Sequence, residues 1–256
     1  MALIRANADN IVTSTPRRQA IKSPAHDETK HIWQALVDTT NDYLDNDPRS
    51  LQVEVGPSEI GEPCEYCLGA KLAGLRQRKD GEGWLTYWGS VVHDHYDKHV
   101  LPTRPHQWNT SSRLYVGDID GRRIEGTTDA EYIEDPFTVV DLKFVGKKTI
   151  DIVKFDAMKW IYECQVNIYG LGHELLGTPP EYVAVAFLPR EDRHVRRGYW
   201  WSEPYNPEKG RAALARAANL AEQIRLFGWA HVREHLEQLD GCYDCKRWIQ
   251  PEEEQQ

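Results

Sequence analysis

The chain encodes a mixed β-sheet with helices on its faces, an α/β (α+β) architecture. Three observations carry that expectation. Between residues 113 and 145, short β-branched and alternating apolar runs are separated by the turn pairs Asp120-Gly121 and Asp135-Pro136. A long stretch of helical period follows at about 155–176, and two more strand-like runs come after it, at 181–188 and 195–202. The order helix, strands, helix, strands excludes a helical bundle and fits helices layered on a sheet. At 256 residues and 40% hydrophobic, the chain has enough apolar material for one sizeable core.

Taken in order, residues 1–27 are polar and carry Pro16 and Pro24, the composition of a mobile arm. Residues 29–46 read as a helix, with Ile32, Leu36 and Tyr43 spaced for one face. Pro57 and Ser58 open the next segment, and Ser58 is expected to cap a short helix leading into the first cysteine pair. Residues 66–77 read as helical, and the stretch from Gly83 to Ser90 enters another helix, Val91 to Val100. Strands are expected at 113–119, 122–127, 128–134 and 137–145. Pro207 suits the first turn of a last helical region that runs to about residue 239 and breaks at Gly228. Residues 28–246 are therefore expected to form one domain, followed by an acidic tail at 247–256. No stretch is apolar and long enough to cross a membrane, and the N-terminus lacks the apolar segment of a secretory signal, so a cytoplasmic location is expected.

Four of the five cysteines come as two pairs, Cys64-Glu65-Tyr66-Cys67 and Cys242-Tyr243-Asp244-Cys245. In a cytoplasmic protein such a pair points to metal or redox work before a structural disulfide. The two-residue spacer lets both sulfurs reach one metal at ~2.3 Å. Two pairs together suggest one four-thiolate centre, for which zinc and an iron–sulfur cluster are both chemically open. A metal joining segments so far apart would close a very long loop and act as a staple. Cys164 lies in an apolar helical stretch and reads as a buried core thiol.

The run Thr138-Val139-Val140-Asp141-Leu142-Lys143 places an acid and a base at the end of an apolar strand. Asp141 and Lys143 are two apart, so their side chains leave the same face. Asp129, in Gly126-Thr127-Thr128-Asp129 just upstream, can bring a second carboxylate there. Two carboxylates and an amine can hold a divalent cation and activate water beside it. His93 could add an imidazole ligand. Gln165 and Tyr169, four apart on the long helix, share a face and could hold a phosphate or orient water. Singly, each has an ordinary reading: an ion pair at a strand end, a packed histidine, a polar helix face.

In order, Gly89-x-x-x-His93, Gly126-x-x-Asp129, Asp141-x-Lys143 and Gln165-x-x-x-Tyr169 resemble the RecB-like branch of the PD-(D/E)xK nuclease superfamily, whose core is restriction-endonuclease-like. With cysteines on both sides, the arrangement is similar to the RecB-like exonucleases stapled by an iron–sulfur cluster, a group that includes the CRISPR-associated and phage-encoded exonucleases. The resemblance runs from about residue 58 to 246. It implies that His93, Asp129 and Asp141, with the backbone carbonyl of Leu142, hold Mg²⁺ or Mn²⁺. Lys143 would position the attacking water and stabilise the phosphate, and Gln165 and Tyr169 would contact the scissile region. Cys64, Cys67, Cys242 and Cys245 would hold a [4Fe–4S] cluster, with structural Zn²⁺ as the alternative. The usual stapled pattern has one cysteine before the nuclease core and three after it, whereas this chain has two and two.

The implied function is a metal-dependent DNA exonuclease acting on single strands or duplex ends in recombination, repair or phage replication, in the host cytoplasm if phage-encoded. No G-x-x-x-x-G-K-[ST] segment is present, so unwinding falls to a recombinase or helicase partner. A net charge of −9 argues against nucleic-acid binding in general, but basic residues cluster locally at Lys143, Lys147 and Lys148 and at Arg190, Arg193, His194, Arg196 and Arg197. Two other readings compete: a non-catalytic DNA-end binding adaptor, and a restriction-type endonuclease.

Overall fold

A computed structural model describes residues 30–46, 54–78, 83–155 and 158–253, and the chain divides into two compact units at Tyr43 and Leu44. The expected N-terminal arm lies outside the described residues. Helix α1 (Lys30–Asp45) belongs to the first unit apart from its last two residues, and it exposes Ile32, Trp33 and Leu36. All other elements belong to the second unit.

The second unit is organised around two apolar strands, β5 (Thr138–Val145) and β6 (Tyr182–Pro189), paired in parallel from Thr138↔Tyr182 to Val145↔Pro189. Val139, Val140, Val183, Ala184 and Val185 are fully buried, as expected where both faces of a parallel pair are covered. Parallel strands need a crossover, supplied here by α5 (Lys147–Phe155) and α6 (Trp160–Leu175). Antiparallel β4 (Ala130–Tyr132) and β7 (Tyr199–Pro204) flank the pair, and β1 (Trp108–Asn109) completes the sheet order β1-β4-β5-β6-β7.

Strand alternation sorts the core. On one face Val139, Val183, Val185 and Phe187 pack with Val166 and Tyr169 of α6. On the other, Val140, Leu142 and Ala184 pack with Tyr96, Leu101, Trp108 and Phe144. Asp141 and Lys143 share the parity of Val139 and so face α6. A separate hairpin, β2 (Arg113–Ile119) with β3 (Arg122–Thr127), packs Leu114, Val116, Ile119 and Ile124 against α6 and α7 (Pro207–Phe227). Its loop is Asp120-Gly121, both at positive φ (49° and 74°), the turn that matches strand twist.

Several boundaries differ from the sequence reading. The short helix α2 (Pro57–Ile60) starts with Pro57 at its first position and Gly56 as the cap, so Ser58 is not the cap. The next helix, α3 (Glu65–Leu72), ends earlier than residue 77. Helix α4 (Gly83–His95) starts before Val91 and continues as a π-helical turn, Tyr96–Val100. The strand expected at 128–134 shrinks to three residues, because Thr128 N–H pairs with Ser112 O (3.0 Å) outside the sheet. The long helix at 155–176 is the second of two, and the strand expected from 195 begins at Tyr199, after a 3₁₀ turn at Val195–Arg197. After Gly228, the helical region to 239 is only α8 (Trp229–Val232). Among the described residues no helix is long and apolar enough to cross a membrane.

Candidate active site and four-cysteine centre

β4 stops pairing at Ala130↔Val140, so the next inward N–H of β5, that of Leu142, has no strand partner. Asp129 fills the gap: its Oδ2 accepts the Leu142 N–H at 2.8 Å. The other oxygen, Oδ1, lies 3.4 Å from Nδ1 of His93, which α4 delivers. The His93 ring is fixed edge-on against Phe144, centroids 5.0 Å apart. On the α6 side of β5, Lys143 Nζ donates to Asp141 Oδ1 (2.9 Å) and to Gln165 Oε1 (3.1 Å). It also lies 2.7 Å from Asp141 Oδ2, but without hydrogen-bond geometry, so that buried oxygen has no hydrogen-bond partner. The four expected residues thus gather at the edge of β5 where β4 has ended, with α6 and α4 closing from either side.

Burial and charge divide the two carboxylates. Asp141 is 1% exposed, and burial pushes its carboxyl up to about 6, against the pull of Lys143 and reinforced by Asp129. At Asp129 burial acts in the same upward direction, but the His93 contact, the Leu142 N–H and the Lys143 charge outweigh it and hold the group below its usual value. Lys143, whose ammonium burial disfavours, is raised on balance by Asp141.

The donor set suits a hard divalent cation: two carboxylates, one with an orphaned buried oxygen, and an imidazole. In an extended strand the N–H and C=O of one residue leave by the same edge, so the Leu142 carbonyl faces the Asp129 side as well. His93, Asp129 and Asp141 do not close into a tight cage. Mg²⁺ does not require one, since it keeps several waters and uses one or two carboxylates plus substrate oxygens.

The four paired cysteines do form a cage. Among the described residues they are the one group of three or more His, Cys, Asp or Glu whose ligand atoms all lie within 4.8 Å of one another. Cys64 caps α3 and Cys67 lies in its first turn, while Cys245 sits in the 3₁₀ turn Asp244–Lys246. The sulfur separations are 3.5 Å (Cys64–Cys245), 3.6 Å (Cys67–Cys242) and 3.7 Å (Cys67–Cys245). Around them Ala70, Leu75, Trp229 and Trp248 build a small core of their own. Burial raises the Cys67 thiol, and it raises Cys245 to about 12. At Cys64 burial is outweighed by the backbone N–H groups of Leu239 and Cys67, and its thiol is lowered. The buried indole N–H of Trp248 favours the Cys67 thiolate but meets no acceptor with hydrogen-bond geometry.

No family model and no curated protein matches this chain. Among solved structures, it is similar to the alkaline exonuclease LHK-Exo from Laribacter hongkongensis, at a TM-score of 0.50 and 8% identity over 73% of this chain and 95% of that one. The same exonuclease in complex with dAMP gives a TM-score of 0.49 and 9% identity over 73% and 95%. The two share a fold. The five-stranded mixed sheet flanked by helices is an architecture that this chain shares with LHK-Exo, and His93, Asp129, Asp141 and Lys143 stand around the end of β5 in this sheet.

Two contributors, Glu131 and Tyr162, escaped the sequence reading, and a third residue, Gly126 of the Gly-x-x-Asp motif, gains its reason here. Glu131, 3% exposed on β4, accepts from Thr128 Oγ1 (2.8 Å) and Asn109 Nδ2 (2.8 Å) and meets His173 Nε2 at 3.0 Å. These bonds, His173 foremost, overcome burial and bring its carboxyl down to about 2. The network anchors the turn that presents Asp129. Tyr162, one turn before Gln165, lies with its ring 5.3 Å from Lys143 Nζ. Gly126 must be small, because a Cβ there would lie 2.5 Å from Pro57 and 2.8 Å from the Tyr169 ring. An acid inside a three-residue strand and an aromatic three residues before Gln165 were the available signals. Gln165 lies under Lys143, and Tyr169 is 7% exposed beneath Gly126.

Proposed function

We propose that this chain is a divalent-metal-dependent deoxyribonuclease that degrades DNA as an exonuclease, from ends or along single strands. The observation that carries this is the Asp141–Lys143 pair on β5 beside Asp129 and His93, on a fold shared with an exonuclease. His93, Asp129, Asp141 and the Leu142 carbonyl would hold Mg²⁺ or Mn²⁺, which would supply polarisation of the phosphoryl oxygens and acidification of a water. Lys143, steered by Gln165 and the face of Tyr162, places its ammonium where charge develops on the phosphate. Tyr169 shapes the floor of the site against Gly126.

Charge placement supports a polyanionic substrate despite the net −9. Val145 O accepts from Arg190 N–H (2.9 Å), so the exposed Lys147 and Lys148 gather with Arg190, Arg193, Arg196 and Arg197 at one end of β5 and β6, the end toward which Asp141 and Lys143 lie, and they stay in excess there although Asp151, Glu191 and Asp192 pair with Lys147, Arg190 and Arg197. On α4, two turns before His93, Trp84, Tyr87 and Trp88 form a mutually contacting aromatic group, and Trp84 and Trp88 are nearly half exposed. Such rings offer stacking faces to unpaired bases. The role in recombination, repair or phage replication, with a recombinase or helicase supplying unwinding, belongs to the same proposal. Incubation with end-labelled linear DNA and closed circular DNA, with and without Mn²⁺, tests it. Cation-dependent loss of the linear DNA alone supports an exonuclease, cutting of the circle an endonuclease, and binding without cutting an adaptor.

A further inference from the structure

The sequence resemblance implies a [4Fe–4S] cluster at the four cysteines, and the geometry disagrees with it. We infer that Cys64, Cys67, Cys242 and Cys245 hold a single tetrahedral zinc ion. The inference rests on reading the four-cysteine cage as a metal centre.

A single metal with bonds of ~2.3 Å to four thiolates sets their sulfurs at the corners of a tetrahedron, ~3.8 Å apart. The separations here are 3.5, 3.6 and 3.7 Å, and no pair exceeds 4.8 Å. In a cubane each cysteine binds a different iron, so its four sulfurs stand outside a tetrahedron of metals instead of around one. The cage has room for one ion and none for an iron–sulfide core. To open, it would have to push the two segments apart, and they are tied beyond the sulfurs. Gln77 and Trp248 form an antiparallel bridge, Arg78 N–H donates to Arg247 O (2.7 Å), and Ile249 N–H donates to Arg76 O (2.9 Å). Cys64 and Cys67 are buried, and the cage is packed by Trp229 and Trp248.

The chemistry agrees with the geometry. The two-and-two arrangement makes two C-x-x-C knuckles, one at the start of α3 and one at the 3₁₀ turn, and backbone N–H groups of Leu239 and Cys67 point at the Cys64 sulfur, as suits a thiolate. Four thiolates suit zinc as well as iron–sulfur, so the close sulfur separations make the choice, and with all four positions filled by protein the ion is structural and not catalytic.

The test is elemental analysis of the full chain purified without oxygen or chelator, with acid-labile sulfide and the visible spectrum recorded on the same sample. About one zinc per chain, no sulfide and no colour are expected. Mercurial titration should release that zinc as four thiols react, a readout that needs no variant to fold. Near four irons with equal sulfide and a brown chromophore would overturn the inference, as would one iron without sulfide, or no metal with four reactive thiols. Failure here is separable from failure of the nuclease reading: a zinc protein that leaves DNA intact refutes only the latter, and an iron–sulfur protein that cuts DNA refutes only the former.

Discussion

Beside β5, His93 and Asp129 stand about a quarter exposed and offer oxygen and imidazole donors that do not close on a point. Between α3 and the C-terminal knuckle, four sulfurs lie within 4.8 Å, two of them buried in a core of their own. The contrast follows from what each centre must do. A catalytic ion needs open positions for water and phosphate, so its ligands are few and spaced. A structural ion needs none, and complete enclosure turns its binding energy into folding energy. One centre should therefore be removable without unfolding the chain and the other should not.

The largest effect is expected at the cage. Cys64→Ser or Cys242→Ser should cost on the order of 5 kcal/mol or more, because the staple joins sulfurs 175 residues apart along the chain. Thermal unfolding should show it, and whatever fraction folds should retain its cleavage chemistry. An unchanged Tm would mean that the cage carries no staple.

Next comes the reaction. Asp141→Ala and Lys143→Ala should each lower cleavage on the order of a hundredfold or more, while the metal content of the cage stays the same. Comparable loss of rate and of cage metal would erase the distinction between the centres.

The Glu131 network should set an acid limit on the sheet without touching the cage. Its folded carboxyl sits at about 2 against 4.5 unfolded. A lowered carboxyl stabilises above the unfolded value, and the gain disappears as pH falls from 4.5 toward 2. The amount is on the order of 3 kcal/mol. Glu131→Gln should flatten that part of a stability–pH curve and slow cleavage only through a looser Asp129. A curve identical to that of the parent protein would remove Glu131 from the account.

The smallest effect is expected at His93. His93→Ala should weaken Mn²⁺ binding about ten- to a hundredfold, with cleavage partly rescued at high Mn²⁺. A histidine that only packs would change Tm and leave the metal dependence alone.

Much of this contrast was legible in the residues. Val139-Val140-Asp141-Leu142-Lys143 announces a buried strand with chemistry at its end, because strand period fixes which side chains share a face. The two cysteine pairs announce a cage because like donors at like spacing converge. What was hidden depends on contacts between distant segments. No Gly or Pro marks the break between α5 and α6, and β1 is too short to show a period. Glu131 finds His173 forty-two residues away, a pairing that no local pattern reports. The two-and-two cysteine spacing leans toward one ion without excluding a cubane, and the sulfur separations, set by distant segments, carry the inference that spacing leaves open.

The central claim is that one chain carries an exchangeable hard-cation site and a closed thiolate site. It is tested by dialysing the protein against a mild chelator, then measuring Tm, cage metal and exonuclease rate before and after Mn²⁺ is restored. The expected result is unchanged Tm and cage metal, no cleavage in the dialysed state, and full recovery on Mn²⁺ that Asp141→Ala does not share. Cleavage that persists without a divalent cation, or that Asp141→Ala recovers equally well, would contradict it.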